Sequence, residues 1–365
     1  MGRVLDGFTV GITADRRADE QAALFARRGA SAILGPVIRT LPFGDDDGLR
    51  AATEAVLAEP PAVLVASTGL GIRSWFGAAE SWDLGDALLE ALRATRIYAR
   101  GPKAAGAVHS LGLDVLARAR SERLRECIDL VLSDLAPGER VVVQRDGGPS
   151  STELPRLRDA GAQVLEVPIY RWQVHEDPRA AVRLAEGLIA GRVHAVTFTF
   201  GPAITSWLAL AASAGLADEL RATLAGGSVV VGCVGPACVE VAAAEGIGDG
   251  DVVVPRTSRL GPLVRTVSDA LVERSRHVGG LIITGNVVRC GNRRVELSDI
   301  EARILAALAD RPGTVVAKAD LLRDVWGDPG ADPHLVEVAV GRLRRRLGED
   351  GTAVRAVPRR GYVLR

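Results

Sequence analysis

Lysine is nearly missing from this 365-residue chain. Of its 45 basic residues only Lys103 and Lys318 are not arginine, a bias shared with abundant Ala and Gly that reads as a high-GC coding sequence. Cysteine is equally sparse. The four, Cys127, Cys233, Cys238 and Cys290, contain no C-x-x-C, and the five histidines are scattered, so neither a zinc site nor any other metal site is expected. They read as small buried apolar residues of a reducing cytosol. The opening MGRVLDGFTVGITADRR has no apolar core or cleavage site of a signal peptide. No run of about 18 uncharged apolar residues exists, which excludes a membrane-spanning helix. The expectation is a cytoplasmic protein with no membrane partner. Formal net charge is also absent, at +0, so the whole chain indicates no partner by charge. The distribution does. Residues 342–365 hold eight Arg against two acids, a basic end on a neutral body that points to a polyanion.

What is present is first of all a repeat. Gly29-Ala30 recurs as Gly161-Ala162, Pro36-Val37-Ile38-Arg39 as Pro168-Ile169-Tyr170-Arg171, and Ile72-Arg-Ser-Trp75 as Ile204-Thr-Ser-Trp207, each at an offset of 132. The block from Gly101-Pro102 to Gly112 recurs from Gly235-Pro236 to Gly246 at 134. Ordered matches at one spacing mean that roughly the first 265 residues are two copies of one unit. Each copy alternates short Val-rich runs (4–12, 63–66, 141–144, 229–231) with Ala/Leu/Arg-rich stretches of helical length, the pattern of parallel sheets with helical crossovers. Gly-Pro opens a helix in both copies, and Gly112 or Gly246 closes it.

Turns after parallel strands are where α/β proteins take ligands. The candidates are Ser67-Thr68-Gly69-Leu70-Gly71, Gly101-Pro102-Lys103, Arg145-Asp146-Gly147-Gly148, Thr199-Phe200-Gly201-Pro202 and Gly235-Pro236-Ala237. Small residues there let backbone N–H groups approach a carboxylate or phosphate at a helix start, with Lys103 and Arg145 adding charge. None is a phosphate-binding P-loop or a full dinucleotide fingerprint, and no cofactor is expected.

Over residues 1–268 this order resembles uroporphyrinogen-III synthase: strand–helix–strand ending in Gly-Ala-x-x-x-x-x-Pro, a strand leading to a Thr/Ser turn, and a strand ending in Gly-Pro-x-Ala. The resemblance implies two similar lobes, the second inserted into the first, joined by a two-strand connector. Lobe one is then 1–38 plus 172–268 and lobe two 45–165. It also implies a catalytic role for Tyr170 if the chain is an active synthase. The turns depart from the family's Phe-Thr-Ser, reading Val-Ala-Ser-Thr-Gly at 65–69 and Phe-Thr-Phe-Gly at 198–201.

After an expected linker at 269–280, residues 281–365 change character. The stretches 281–288 and 293–297 read as a strand pair turned at Gly291-Asn292. Ser298-Asp-Ile-Glu301 is a capping box. A short helix from Lys318 and a third after Asp332-Pro333 follow, the latter with Val336, Val340, Leu343 and Leu347 on one face. Its other side carries His334, Glu337, Val338, Gly341, Arg342, Arg344 and Arg345. A terminal hairpin adds Arg359 and Arg360. Three short helices with a basic third helix and a basic hairpin make a winged helix-turn-helix for double-stranded DNA. Leu297-Ser-Asp-Ile-Glu-Ala-Arg-Ile-Leu, Leu321-Leu-Arg-Asp-Val-Trp-Gly327, Val340-Gly-Arg-Leu-Arg-Arg-Arg-Leu347 and Arg360-Gly-Tyr-Val are similar to the OmpR/PhoB-type DNA-binding domain. That similarity implies a third helix in the major groove and a wing at the minor groove. Ala339, Gly341 and Pro358 depart from its usual residues.

The fold class is therefore α/β: two similar, internally duplicated parallel-sheet lobes followed by a C-terminal winged helix-turn-helix. The triple Asp45-Asp46-Asp47 does not fit a phosphorylatable receiver, so regulation by a ligand or partner is expected. The combination resembles actinobacterial transcription regulators, some tied to nitrate and nitrite assimilation. The ligand class is a small anion, tetrapyrrole-like or a nitrogen metabolite, placed at Thr68, Gly69, Gly101, Lys103, Arg145, Gly147, Thr199, Gly201, Gly235 and Ala237. A homo-oligomer or a second regulator is a further expected partner. Two other readings stay open: a bifunctional synthase converting hydroxymethylbilane to uroporphyrinogen III, and a scaffold whose lobes bind no ligand.

Overall fold

The Val-rich runs form strands because parallel sheets covered on both faces demand continuous apolar β-formers. In a computed structural model of the chain, which describes residues 4–42, 47–145, 153–248, 252–291 and 293–365, all four residues of Val63–Ala66 are buried. The chain divides into two units, Met1–Val37 with Glu176–Arg365, and Ile38–His175.

The unit Ile38–His175 holds a five-stranded parallel sheet. Its order across the sheet is Ala117–Arg118, Arg96–Ala99, Val63–Ala66, Arg140–Arg145, Gln163–Pro168. One face packs on Leu49, Val56, Ile72, Trp75 and Val108, the other on Cys127, Ile128, Val131 and Leu157. The fully buried Trp75 donates its indole N–H to Thr53 Oγ1 at 2.9 Å.

The other unit repeats the order: Val252–Val253, Val230–Cys233, Ala195–Phe198, Thr9–Ala14, Ser31–Pro42. Trp207, at the repeat position of Trp75, is again fully buried and donates to the Ala181 carbonyl at 2.8 Å. By the sequence offset, Thr9–Ala14 corresponds to Arg140–Arg145 and Ser31–Pro42 to Gln163–Pro168. The two copies have therefore exchanged their opening strand–helix–strand. Each sheet is completed by the start of the other copy. The chain crosses between units on the antiparallel pair Ser31–Pro42 and Tyr170–Val174, with Ile38 opposite Val174.

Three expectations are corrected. The first strand starts at Thr9, not at 4, because Gly7 turns the chain with φ +96. The stretch 269–280 is no linker: it is the end of helix Leu260–Glu273, whose Val267 and Leu271 are core, and then strand Arg276–Val278. Nor is 281–288 one strand. Gly285, at φ +53, and Asn286 form a tight turn between Leu281–Thr284 and Val287–Cys290, the Gly-Asn hairpin signal. With Arg293–Glu296 these make a four-stranded antiparallel sheet; the Asn292 end of the expected Gly291-Asn292 turn lies outside the described residues.

Helices Asp299–Ala309, Lys318–Trp326 and His334–Leu347 pack beside this sheet, and the hairpin Val354–Val357/Gly361–Leu364 closes the domain. Ile304, Leu305, Leu308, Leu321, Val336 and Leu343 share its core. The capping box forms: the Ser298 N–H donates to Glu301 Oε2 at 2.8 Å. The nearly buried Glu301 also takes Arg346, Nε to Oε2 2.8 Å, tying the first helix to the third.

This domain and lobe one lie in the same unit and meet along a seam. The Asn286 N–H donates to the Gly7 carbonyl (3.2 Å) and Thr284 Oγ1 to the Asp6 carbonyl (2.8 Å). At the seam, His194 Nδ1 accepts from the Thr9 N–H at 3.0 Å. A backbone amide only donates, so this nitrogen carries no proton and the ring is neutral. Burial pushes the His194 pKa down from 6.5 to about 4. The sign follows directly. Below pH 6.5 the unfolded chain binds a proton that the fold refuses, so this stability is full above 6.5 and is lost as pH falls toward 4. Unfolding free energies from urea titrations should fall between pH 6.5 and 5.5, before unfolded carboxylates begin to protonate, with a slope approaching about 1.4 kcal/mol per pH unit. His194→Gln should abolish that slope, and equal slopes in both proteins would contradict the assignment.

Candidate functional site

The third helix of the winged domain is held by its apolar face, with Val336, Val340, Leu343 and Leu347 all at 0–1% exposure. The opposite face presents His334, Glu337, Val338, Arg342 and Arg345 to solvent, with Gly341 half-buried between them. Nothing lies within 4 Å of where a Gly341 Cβ would be, so packing does not require glycine there, although it costs the helix about 1 kcal/mol relative to Ala. The arginines divide by partner. Arg344 donates to the Val354 carbonyl at 2.8 Å and sits 5.9 Å from the Tyr362 ring centroid, bracing the hairpin against the helix. Arg346 is held by Glu301. Arg345 bonds only weakly along its own helix, to the Gly341 carbonyl at 3.4 Å. Glu337 is paired with Lys318 and lies 3.3 Å from His334 Nδ1, and the lysine holds its carboxyl below the ordinary range.

At the hairpin tip, the Arg360 N–H donates to the Val357 carbonyl at 3.0 Å, closing a turn over Pro358 and Arg359. Arg359 takes φ +60, a left-handed conformation that residues other than Gly and Asn pay to adopt. Both arginines are exposed. The outer face of the helix and the hairpin tip are thus a positively charged, solvent-facing surface.

The lobe candidates fall into two groups, one per unit. In the Ile38–His175 unit, Thr68 caps helix Gly69–Ser81 by accepting from the Gly71 N–H at 2.9 Å. A Cβ on Gly69 would lie 2.3 Å from the Lys103 carbonyl. Glycine there lets two helix starts touch. Gly101 caps helix Pro102–Ser110 in extended conformation, and Lys103 in its first turn is exposed. Arg145 is engaged by Glu166, which also takes Arg158 at 2.6 Å. Gly147 lies outside the described residues, as does the Tyr170 side chain; Tyr170 begins strand Tyr170–Val174.

The other unit repeats the close approach. A Gly201 Cβ would meet Val241 at 2.9 Å and the Ala237 carbonyl at 3.2 Å. Gly235 lies against Ser258, 2.5 Å from a built Cβ to Oγ. Thr199 is half-buried just past strand Ala195–Phe198, and Ala237 is exposed. At Gly69, Gly201 and Gly235 the approach of protein atoms accounts for the missing side chain, whereas a Cβ on Gly101 would meet Glu122 only at 3.4 Å, an ordinary contact that does not require glycine.

Sequence reasoning passed over Gln144. It is 2% exposed one residue before the end of strand Arg140–Arg145, and neither of its amide atoms has a hydrogen-bond partner among the described residues. The Ser67 hydroxyl, 5% exposed, is equally unmet. Val65 pairs with Val143, so both polar groups fall at the carboxyl ends of neighbouring central strands. Leaving such groups unpaired costs about 1–3 kcal/mol each. The available signal was one polar residue closing the run Val141-Val-Val-Gln144.

Among the described residues no three His, Cys, Asp or Glu side chains are grouped to hold a metal ion, and no helix is long and apolar enough to cross a membrane. Burial pushes the Cys127 thiol up to about 12 and Cys233 higher still, so neither is an activated nucleophile.

Two family descriptions match the chain: uroporphyrinogen-III synthase HemD over residues 19–265, and the C-terminal domain of transcriptional regulatory proteins over 292–364. An uncharacterised protein of Bacillus subtilis, YjjA, is 25% identical over 267 residues, covering 72% of this chain and 96% of YjjA. The transcriptional regulatory protein PrrA of Mycobacterium leprae is 39% identical over 89 residues, covering 23% of this chain and 37% of PrrA. A mutant uroporphyrinogen-III synthase from Thermus thermophilus superposes with a TM-score of 0.58 at 26% identity, covering 73% of this chain and 99% of that one. The chain belongs to the uroporphyrinogen-III synthase family, with an OmpR/PhoB-type winged-helix DNA-binding domain fused at its C-terminal end.

Proposed function

We propose that the protein is a transcriptional regulator that reads double-stranded DNA with its winged helix and senses a small anionic molecule with its synthase-like lobes. The observation that carries the first half is the third helix, whose polar face stands clear of the fold while its apolar face is locked in the core. Arg342 and Arg345 on the helix, with Arg359 and Arg360 at the wing, supply the phosphate and base contacts. Arg344 and Arg346 serve the fold. The sensing half is supported by Gln144 and Ser67, buried polar groups that a ligand with matching donors and acceptors would satisfy. Nitrate and nitrite assimilation genes are the expected targets, and genome-wide mapping of bound DNA is the measurement that names them. The protein acts in the cytoplasm, as a homo-oligomer or with a second regulator.

The alternative is a working synthase with a DNA-binding appendage, favoured by the family match across 19–265. The turns at 65–69 and 198–201, which lack Phe-Thr-Ser, speak for lost activity. The expected result with hydroxymethylbilane is no efficient conversion to the type III product. Robust conversion abolished by Tyr170→Phe would establish the enzyme.

Two further outcomes are expected. Arg342→Ala and Arg345→Ala should each weaken DNA binding across sequences and reduce the salt slope by about 1, whereas Arg346→Ala should lower thermal stability and leave the slope alone. A lower slope in Arg346→Ala alone would reverse the assignment. Arg359→Gly should stabilise the protein by about 1 kcal/mol by relieving the left-handed strain, yet bind DNA more weakly. If it binds as tightly as the parent, the wing tip does not touch DNA.

A further inference from the structure

The seam between lobe one and the winged helix is more than a covalent junction. The turn at Asp6-Gly7 and the turn at Gly285-Asn286 interlock backbone to backbone. A Cβ on Gly7 would lie 2.2 Å from the Thr284 carbonyl, and a Cβ on Gly285 would lie 2.2 Å from the Gly7 carbonyl. Both residues sit at positive φ, +96 and +53. No side chain fits on either side of this contact. Beside it, the Asp6 carboxylate, with 15% of its side chain exposed, takes two guanidinium groups of the winged domain. Arg289 Nη2 lies at 3.1 Å and Arg294 Nε at 2.9 Å. Those hydrogen bonds hold the Asp6 carboxyl below its ordinary range, Arg294 most strongly. Further along, Arg192 Nη1 is 3.8 Å from Asp299 Oδ2 at the start of the first helix, and Asn286 Nδ2 donates to the same carboxylate at 3.0 Å. Gly191 packs on the Arg303 side chain. The chain connection adds to this, since helix Leu260–Glu273 passes into strand Arg276–Val278 with two residues between.

All these contacts use the four-stranded sheet and the first helix. His334, Glu337, Val338, Arg342, Arg345, Arg359 and Arg360 are exposed or open, so the seam does not mask the DNA-reading surface. An occluding contact would have buried them. We propose that Asp6-Gly7 is a seat that fixes the winged helix on lobe one as one mechanical body, so that lobe one and DNA communicate through this seat rather than through a flexible tether. The inference rests on the DNA-binding reading above and deepens it with a route of regulation. A rearrangement of lobe one then re-aims the winged helix as a rigid piece, and by reciprocity DNA binding stabilises lobe one.

The test is calorimetric, on the full chain. Asp6→Arg places like charge against Arg289 and Arg294, and Asp6→Arg/Arg294→Asp restores an opposite pair. Gly285→Ala forces a side chain into the backbone contact. In the parent, lobe one and the winged helix should melt in one transition, and a random-sequence duplex at low ionic strength should raise it as a whole. In Asp6→Arg and Gly285→Ala the transition should split, with the duplex raising only the winged-helix part. The double variant should reunite it. Separate transitions in the parent, or an unsplit transition in both single variants, would overturn the seat. A duplex that shifts no transition in any protein, while the splitting pattern is as expected, would instead overturn the DNA reading and with it the communication, leaving the mechanical seat standing.

Discussion

The absence of a side chain at Gly7 and Gly285 is the constraint on which the DNA-binding half of this protein depends. Two turns from distant parts of the sequence approach until carbonyls occupy the space a Cβ would need. That approach lets the Gly7 carbonyl receive the Asn286 N–H, and brings Asp6 within reach of Arg289 and Arg294. It also covers His194, which burial keeps neutral while its Nδ1 accepts from the Thr9 N–H. The winged helix is thereby oriented from its sheet side. Its third helix, fastened internally by Glu301 to Arg346 and by Arg344 to the hairpin, is left open.

A second pair of glycines shows how one residue type supports two readings. Gly69 and Gly201 occupy equivalent places in the two copies, and a turn at the carboxyl end of a parallel strand suggests a ligand. The geometry gives a nearer cause. Each lies against a carbonyl in the first turn of the helix that follows the next strand, Lys103 in one copy and Ala237 in the other. Close helix packing calls for such glycines whether or not a ligand is present. Gln144 and Ser67 differ in kind, because nothing among the described residues accounts for burying them unpaired. For a sensor they are therefore the more informative residues, although less conspicuous in the sequence.

The duplication, the α/β class and the winged helix were legible because each rests on short-range pattern: period, caps, and helices separated by Gly and Pro. The capping box at Ser298 and the helix-ending glycines Gly112 and Gly246, both at positive φ, are local decisions. The linker was misread because 269–280 mixes charged residues with a closing Gly279-Gly280, while its order comes from partners elsewhere: the lobe core for Leu271 and the strand Leu281–Thr284 for Arg276–Val278. The strand break at Gly285-Asn286 was visible as a turn dipeptide but was outweighed by the apolar residues on either side. The division of labour among Arg342, Arg344, Arg345 and Arg346 was half legible. Helical spacing sets Arg342 and Arg345 away from the apolar face and Arg344 and Arg346 along its borders, but only the position of Glu301, Val354 and Tyr362 shows that the bordering pair is engaged.

The exchange of opening segments between copies also sets an order of assembly. Strand Thr9–Ala14 pairs with Ala195–Phe198, Val10 opposite Ala195, so 185 residues must be added before its central neighbour exists. At roughly 5–20 residues per second on the ribosome, the first strand and its helix wait for roughly 10 to 40 s. The unit Ile38–His175 has the last strand of its own sheet, ending at Pro168, shortly before Ala195 is made. It can fold while Val10, Ile12 and Phe25, all fully buried in the finished protein, are still without a core. The inserted lobe is then the first solid object on the chain, and the N-terminal segment is a sticky end that must be kept from other chains until its own second copy emerges.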